Sequence, residues 1–398
     1  MPINLSTEET EAWIRLTLEP ELSPSQARLL LSVYGLPQDI FAQSPMQLAK
    51  YIDNKAASAL TRAPDDALQN RINATLAWLS APNHHLLTLA DATYPPQLLE
   101  IHDPPLVLYV NGQPELLLRQ SLAIVGARSS TPAGESNAKD FAEYLARHNW
   151  CIVSGLASGI DAAAHQGALE SGDQGGGTIA VLATGIDLVY PARNRSLAHD
   201  IARHGALVSE FPLGQKAIQY HFPKRNRIVA GLSKGVIVVE AAVQSGSLIT
   251  ARLASEMGRE VFAIPGSIHS PLSKGCHALI RQGAKLVESG EHILEELNPQ
   301  SLADTAPRAA GRPTPDLSRK KTGKTEQTNF AEQLFEDAAT QDKSRHVLDV
   351  MGYDPISFGD IQLRSKLPVP DLNQTLSLLE LQGFVARTPG GQYQRQRT

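Results

Sequence analysis

Cysteine is scarce in this sequence of 398 residues, which contains only Cys151 and Cys276. Two cysteines so far apart do not make a disulfide framework, and neither has histidine or cysteine companions at the spacing of a zinc site. We therefore expect no metal and a protein of a reducing compartment.

Long apolar runs are also missing. No stretch of about 18 uninterrupted apolar residues occurs, which is the length that a membrane-spanning helix requires. The first residues carry Glu8, Glu9 and Glu11, where a signal peptide would be basic and then apolar. These features predict a cytoplasmic protein with no membrane partner.

An excess of positive charge is absent as well, because 36 lysines and arginines face 41 aspartates and glutamates and leave a net charge of −5. A nucleic-acid-binding function would therefore need a local basic patch. The sequence also lacks a strict Gly-x-Gly-x-x-Gly turn and the lysine motif of P-loop nucleotide hydrolases, so we predict no cofactor.

The length indicates two or three domains at roughly 150 residues each, and 42% hydrophobic residues can fill their cores. Residues 1–82 are predicted to form a small helical, SAM-like module. Ser6 and Glu9 have the spacing of a helical capping box, and Ser23-Pro24 and Ser44-Pro45 are typical helix starts.

Residues 83–296 are predicted to form an α/β domain with a doubly wound, parallel, Rossmann-like sheet. Short runs that are apolar at every position, not at alternate positions, indicate strands covered by helices on both faces. The runs are Leu122–Gly126, Cys151–Gly155, Thr178–Leu182, Ala206–Ser209, Gly235–Val239, Val261–Ile264 and Lys285–Glu288. The proline-rich segments before them, near Tyr94 and Asp103, predict an extended approach to the sheet.

Two further segments complete the predicted organisation. Residues 297–342 are rich in proline, serine, threonine and charge, which is typical of a flexible linker. Residues 343–398 regain helical periodicity in three segments and then show a hairpin pattern, so we predict a winged-helix domain.

Small residues follow the predicted strands, and in an open parallel sheet ligands bind beyond the carboxyl ends of the strands. Glycine-rich turns of this kind bring backbone N–H groups close to an anion, but they also occur for packing alone. The turns contain Gly126, Arg128 and Ser129; Ser154 and Gly155; and Ser245, Gly246 and Ser247. Ser247 could equally be a simple helix cap.

A basic stretch lies between Glu210 and Glu240, which are separated by no other acidic residue. Aromatic residues, including Phe222, are interleaved with its cations. Bases of single-stranded nucleic acid stack on such rings while cations follow the backbone. The cations are Lys216, Lys224, Arg225, Arg227 and Lys234. Lys274 either adds to a positive rim or is an ordinary surface residue.

Possible catalytic groups are fewer. Asp161 and His165 are four residues apart on a predicted helix, where an acid/base pair is one interpretation and a structural contact the commoner one. Glu240 ends a strand and could be catalytic or could hydrogen-bond a neighbouring loop. An alternative function is therefore a Rossmann-type nucleotide-processing hydrolase, although no clear carboxylate pair supports it.

Several ordered motifs resemble the DNA-processing protein A (DprA/Smf) family. They are Ala123–Arg128, Ser154–Asp161, His165–Leu169, Tyr190-Pro191, Phe222–Ile228, Ser245–Thr250 and Ile264–Gly266. The resemblance implies a non-enzymatic cytoplasmic homodimer that binds and protects incoming single-stranded DNA and loads the RecA recombinase in natural transformation. By the family's motifs, Arg128, Phe222, Lys224, Arg225 and Arg227 would line the DNA pocket.

The predicted single-stranded-DNA site joins these residues to the strand-end turns. It comprises Gly126, Arg128, Ser129, Ser154, Gly155, Lys216, Phe222, Lys224, Arg225, Asn226, Arg227, Ser245, Gly246, Ser247 and Lys274. One feature departs from a DNA-reading winged helix, because the predicted third helix, Val369–Gln382, contains no lysine or arginine. We expect the winged helix to contact protein, with a weak accessory DNA contact left to its wing.

Overall fold

Nine strands hydrogen-bond into one sheet in the computed structural model, which describes residues 6–172, 174–297, 338–353, 355–388 and 391–396. The strands are His84–Thr88 (β1), Val107–Gly112 (β2), Ser121–Val125 (β3), Cys151–Ser154 (β4), Thr178–Val181 (β5), Ala206–Ser209 (β6), Gly235–Val238 (β7), Glu260–Ala263 (β8) and Lys285–Leu286 (β9).

The strand order across the sheet is β1-β2-β6-β5-β4-β3-β7-β8-β9. From β6 to β9 all neighbours are parallel, which confirms the predicted doubly wound α/β fold and all seven predicted strands. The pairs β1–β2 and β2–β6 are antiparallel and were not predicted. The approach segment is therefore partly strand, and it extends the sheet at one end.

Helices precede and connect the strands. Before the parallel strands lie Thr7–Leu18 (α1), Pro24–Tyr34 (α2), Pro37–Phe41 (α3), Pro45–Leu48 (α4), Asn54–Leu60 (α5), Asp66–Leu79 (α6) and Pro96–Leu99 (α7). Between and after them lie Pro132–Arg147 (α8), Ile160–Glu170 (α9), Arg195–His204 (α10), His221–Leu232 (α11), Gly246–Glu256 (α12), Lys274–Arg281 (α13) and Gly290–Leu297 (α14).

The N-terminal helices begin where the sequence predicts. Ser6 and Glu9 form the capping box of α1, and Ser23 and Ser44 cap α2 and α4 in the same way. Trp13 is 2% exposed and belongs to the same apolar cluster as Tyr109 of β2. The helical region thus shares a core with the antiparallel end of the sheet.

The central strands are buried at every position, as strands covered on both faces require. The strand β3 pairs with β4 on one side and β7 on the other, and the chain reverses its winding direction between β3 and β7. This reversal is the topological switch point, at which connections leave the sheet in opposite directions and open a crevice.

The C-terminal unit is a winged helix, as predicted. It consists of Ala338–Met351 (α15), Phe358–Ser365 (α16), Val369–Leu381 (α17), Val385–Arg387 (β10) and Tyr393–Arg395 (β11), with an antiparallel pairing of the last two. Its core includes Val347, Ile361, Leu372 and Leu376. The predicted linker falls mostly on residues 298–337, which lie outside the described residues.

Candidate nucleic-acid interface

A crevice of about 870 Å³ opens at the switch point, beyond the carboxyl ends of β3, β4 and β7. The structure brings most of the predicted site residues to its walls. They are Gly126, Arg128, Ser129, Gly155, Phe222, Arg225, Asn226, Ser245, Gly246 and Ser247. These residues come from four chain segments, which meet because parallel strands end at a common edge.

A cation and an aromatic ring meet in this crevice. The guanidinium carbon of Arg128 lies 4.8 Å from the centre of the Phe222 ring, within the range of a cation–π contact. The side chain of Arg128 is exposed and that of Phe222 is half-buried. We call these two residues the Arg128–Phe222 pair; it presents a positive charge and a flat apolar surface side by side.

Tyr190 extends this aromatic surface. Its ring is 5.9 Å from that of Phe222 in an edge-on arrangement, and the residue is 51% exposed. Tyr190 also lines a second, smaller cleft of about 190 Å³ that shares Arg128, Phe222 and Arg225 with the crevice. In this cleft Arg193 Nε donates a hydrogen bond to Ser158 Oγ at 2.6 Å.

Our sequence reasoning missed Tyr190 and Arg193 as site residues. The Tyr190-Pro191 motif was the available signal for the tyrosine, since it belongs to the motifs that carry the family resemblance. No comparable signal marks Arg193, because its sequence context does not distinguish it from an ordinary surface arginine such as those elsewhere in the chain. Only the folded loop places its guanidinium at the smaller cleft.

Among the helices that begin around the crevice are α8, α9 and α12, and the chain supplies two of these three with carboxylates. At α8, Glu240 accepts hydrogen bonds from Thr131 N at 2.9 Å and Thr131 Oγ1 at 2.6 Å. Beside α9, the carboxylate of Asp161 accepts from Gly155 N at 3.1 Å and Ala157 N at 3.3 Å. These amides already face a negative group, which helix dipoles favour at their N-termini.

The third helix, α12, begins differently. Its cap is a neutral hydroxyl, since Ser245 Oγ accepts from Ser247 N, and its first turn carries no acidic residue. A Cβ on Gly246 would find no atom within 4 Å, so the space beside this residue at the helix start is open. Of the three helix starts, α12 is therefore the best placed to receive an external phosphate.

Two glycines of the crevice have packing roles as well. A Cβ on Gly126 would lie 2.6 Å from Ile160 Cγ1, so the turn after β3 fits against α9 only without a side chain. A Cβ on Gly155 would lie 1.6 Å from Nη1 of Arg225, so the arginine occupies the volume that a side chain would need. For these two positions the structure supports the packing explanation.

Arg225 is buried, with 4% of its surface exposed. Its Nη1 donates a hydrogen bond to the carbonyl of Val181 at 2.9 Å. Burial lowers the pKa of this guanidinium to about 10, and Asp161 opposes the shift. Burial likewise raises the pKa of Asp161, while Arg225 and two backbone amides act in the opposite direction.

The groups considered for acid/base chemistry are used internally. His165 Nδ1 lies 2.7 Å from Thr178 Oγ1, and burial, with Arg225 contributing, lowers the pKa of the imidazole to about 3. Asp161 holds the turn after β4 and Glu240 holds Thr131. Asp161 and His165 therefore hydrogen-bond other groups. These bonds do not correspond to the contact between the two residues that the sequence suggested.

Five predicted residues do not line the crevice, and for Arg227 and Ser154 the structure corrects the expectation. Arg227 pairs with Asp103 at 2.9 Å and with Glu210, because two residues along a helix turn its side chain to the opposite side from Arg225. Ser154 is fully buried, and its hydroxyl donates to the carbonyl of Ile124 at 2.6 Å.

The other three residues are lysines around the crevice. Lys216 and Lys274 are exposed and lie one and two positions from the lining residues Ala217 and Leu272. Lys224 Nζ lies 4.7 Å from the centre of the Tyr220 ring. These cations do not line the walls of the crevice, but they are placed to contribute positive charge to the surface beside it.

No described helix is long and apolar enough to cross a membrane. In that same part of the chain, no three histidine, cysteine, aspartate or glutamate side chains cluster in a way that could hold a metal ion.

Comparison with known proteins gives consistent matches. The model of the DNA recombination-mediator protein A family matches residues 85–298, and that of the DprA winged helix domain matches residues 334–391. Protein Smf of Escherichia coli is 42% identical over 321 residues, which cover 80% of each chain. DNA processing protein DprA of Streptococcus pneumoniae is 47% identical over 209 residues, covering 52% of this chain and 73% of that protein.

A solved structure agrees with these matches. The X-ray structure of DNA processing protein A from Streptococcus pneumoniae aligns with a TM-score of 0.54 at 37% identity and covers 69% of this chain and 98% of that one.

Proposed function

This chain belongs to the DNA recombination-mediator protein A family, and we propose that it binds single-stranded DNA in the switch-point crevice. The observation that carries this proposal is the Arg128–Phe222 pair, which sets a guanidinium 4.8 Å from an accessible ring beside the neutral start of α12. A strand of nucleic acid offers a phosphate and a flat base in each repeat, and these match the two kinds of surface.

In the proposed complex, a base lies on the Phe222 ring and the neighbouring phosphates bind Arg128 and the first amides of α12. Tyr190 offers a second ring for the next base. Stacking tolerates any base because every base has a flat face, so this arrangement binds without sequence specificity. Lys216, Lys224 and Lys274 add attraction from the rim.

Stacking on a protein ring requires a base that is not already stacked inside a duplex, so the site should prefer single strands. A gel shift with one oligonucleotide and with its own duplex, at two salt concentrations, tests this preference. The proposal requires tighter binding of the single strand at both salt concentrations. Equal affinity for the two forms would refute it.

We propose binding without catalysis. The carboxylates nearest the crevice, Asp161 and Glu240, are engaged in holding backbone amides and Thr131. The hydrolase alternative needs one of them as a free acid or base. Incubation with nucleoside monophosphates tests it, because release of free base faster than in buffer would support the enzyme.

The wider role that we propose follows from the family. The protein would protect incoming single-stranded DNA in the cytoplasm and load RecA onto it in natural transformation, acting as a homodimer. In its domain organisation we propose a helical module at 1–82, the DNA-binding domain at 83–296, a flexible linker at 297–342 and the winged helix at 343–398.

We propose that the winged helix contacts protein in preference to DNA. Its third helix, α17, has no basic residue, and Asp371 in its first turn pairs with Lys343 at 2.8 Å. Two arginines of the wing rest on aromatic rings: Arg387 lies 5.0 Å from the ring centre of Tyr393, and Arg395 lies 4.8 Å from that of Tyr353.

A further inference from the structure

We propose that Arg225 is a positioning residue of the DNA site, which acts by fixing Phe222 and does not neutralise a phosphate. This inference rests on the proposed function and deepens it. The segment of Phe222 and its cations predicts that Arg225 faces DNA. Arg225 does line the crevice, but only 4% of its surface is exposed, and its guanidinium hydrogen-bonds the carbonyl of Val181.

The guanidinium of Arg225 lies against the backbone at the end of β4. Gly155 makes the approach possible, since a Cβ at this position would lie 1.6 Å from Nη1 and 2.2 Å from the guanidinium carbon. The same Nη1 atom donates a hydrogen bond to the carbonyl of Val181, the last residue of β5, at 2.9 Å. One side chain thus joins α11 to the ends of two strands.

The surface that Arg225 rests on is itself held in place. The carboxylate of Asp161 accepts from Gly155 N and Ala157 N, and so fixes the turn after β4. Attraction to Asp161 is the largest influence that favours the charged form of Arg225. The cation is therefore matched by an internal anion, and its Nε has no hydrogen-bond partner and is buried.

Helix geometry connects this anchor to the ring. Phe222 precedes Arg225 by three positions on α11, and residues three apart lie on the same side of a helix. Arg225 anchors the first turns of α11 together with His221, which is buried and stacked on Phe211, and so it contributes to the direction in which Phe222 projects. The ring then meets Arg128 from the turn after β3.

A positioning role and a phosphate contact make different predictions for salt dependence. Loss of a cation that binds phosphate weakens the dependence of affinity on salt by roughly 0.7 in the log–log slope for a single strand. Loss of a buried positioning cation weakens binding but leaves that slope unchanged. The shape of the guanidinium also matters, since lysine keeps the charge but lacks the planar group with several donors.

The experiment measures binding of a fluorescent oligo(dT) at several salt concentrations. The variants are Arg225→Met, Arg225→Lys, and each of these combined with Phe222→Ala. We expect Arg225→Met and Arg225→Lys each to weaken binding by roughly tenfold, within the range of losing one stacked base, with an unchanged slope. In the Phe222→Ala background the same changes should alter affinity by less than about twofold, because a positioning residue has no ring left to position.

A thermal melting curve checks whether Arg225→Met folds. If it does not fold, Arg225→Lys still tests the proposal. Arg225→Lys with wild-type affinity, or Arg225→Met with a slope weakened by about 0.7, would overturn the positioning role. So would additive effects with Phe222→Ala. If the unchanged protein does not bind oligo(dT), the proposed function fails instead, so the two failures are distinguishable.

Discussion

The guanidinium of Arg128 lies 4.8 Å from the centre of the Phe222 ring, although the two residues belong to different elements far apart in the sequence. Arg128 follows β3 in the turn at the switch point, and Phe222 is in the first turn of α11. Their contact exists because α11 packs against β3, β4 and β5, which the strand order places side by side. The pair supplies charge and stacking surface together.

Removal of the ring should weaken binding without unfolding the protein. Phe222→Ala is expected to cost about 1–3 kcal/mol of binding free energy, which is the usual contribution of one stacked base. Fluorescence anisotropy with oligo(dT) measures the loss. Tyr220→Ala is the matched control, because Tyr220 is nearby and 67% exposed but does not line the crevice. A similar loss in both variants would show that Phe222 has no special role.

Removal of the cation should change the response to salt. Arg128→Ala is expected to weaken binding and to make the log–log salt slope less negative by roughly 0.7, because one phosphate contact is lost. The comparison is Arg252→Ala, which removes a 79% exposed arginine side chain that pairs with Glu256 on α12. An unchanged slope for Arg128→Ala would contradict a phosphate contact.

A carboxylate introduced at the start of α12 should have opposite effects on the stability of the protein and on its affinity for DNA. Gly246→Asp places its Cβ in open space, and an acidic group in the first turn stabilises a helix by about 0.3–1 kcal/mol. The same charge repels phosphate, at a cost of about 1 kcal/mol or more for charges near 4 Å apart. We therefore expect a Tm that is unchanged or raised together with clearly weaker DNA binding.

Ser255→Asp is the control for that prediction, since it adds the same charge to an exposed position in the last turn of α12. It should leave DNA affinity within about twofold, because the charge is more than one Debye length of roughly 8 Å from the proposed phosphate site. If both variants bind DNA as the wild type does, α12 is not a phosphate site.

Truncation tests the winged helix. Deletion of residues 343–398 should leave single-strand affinity within a few-fold, because α17 has no basic residue and the wing residues Arg387 and Arg395 lie on tyrosine rings. The measurement is the same oligo(dT) titration, with circular dichroism to show that the remaining chain is folded. A hundredfold loss would show that this domain holds DNA.

Much of the fold follows from local sequence patterns. Buried parallel strands such as Leu122–Gly126 are apolar at every position, and the helix starts at Ser6 and Ser23 carry their caps in the sequence. The strands β1 and β2 were missed because prolines near Tyr94 and Asp103 indicated extended chain without showing what it pairs with. Antiparallel pairing with β6 depends on contacts distant in sequence.

The sequence predicts which turns form the site, but it does not predict in which direction each side chain points. Arg225 and Arg227 look equivalent in the sequence, yet one is buried against Gly155 and the other pairs with Asp103 and Glu210. Their roles depend on the rotation of α11, which two neighbouring arginines do not reveal. Ser154 likewise follows the pattern of a strand-end serine, but its hydroxyl is used within the sheet.

Photo-crosslinking tests most directly whether an unpaired base lies on the Phe222 ring. An oligonucleotide carrying 5-bromodeoxyuridine would be irradiated with the protein, and the attached peptides identified by mass spectrometry. We predict attachment within residues 217–224 or at Tyr190, with the former lost in Phe222→Ala. Attachment confined to the winged helix, with neither segment labelled, would contradict single-strand binding in the crevice.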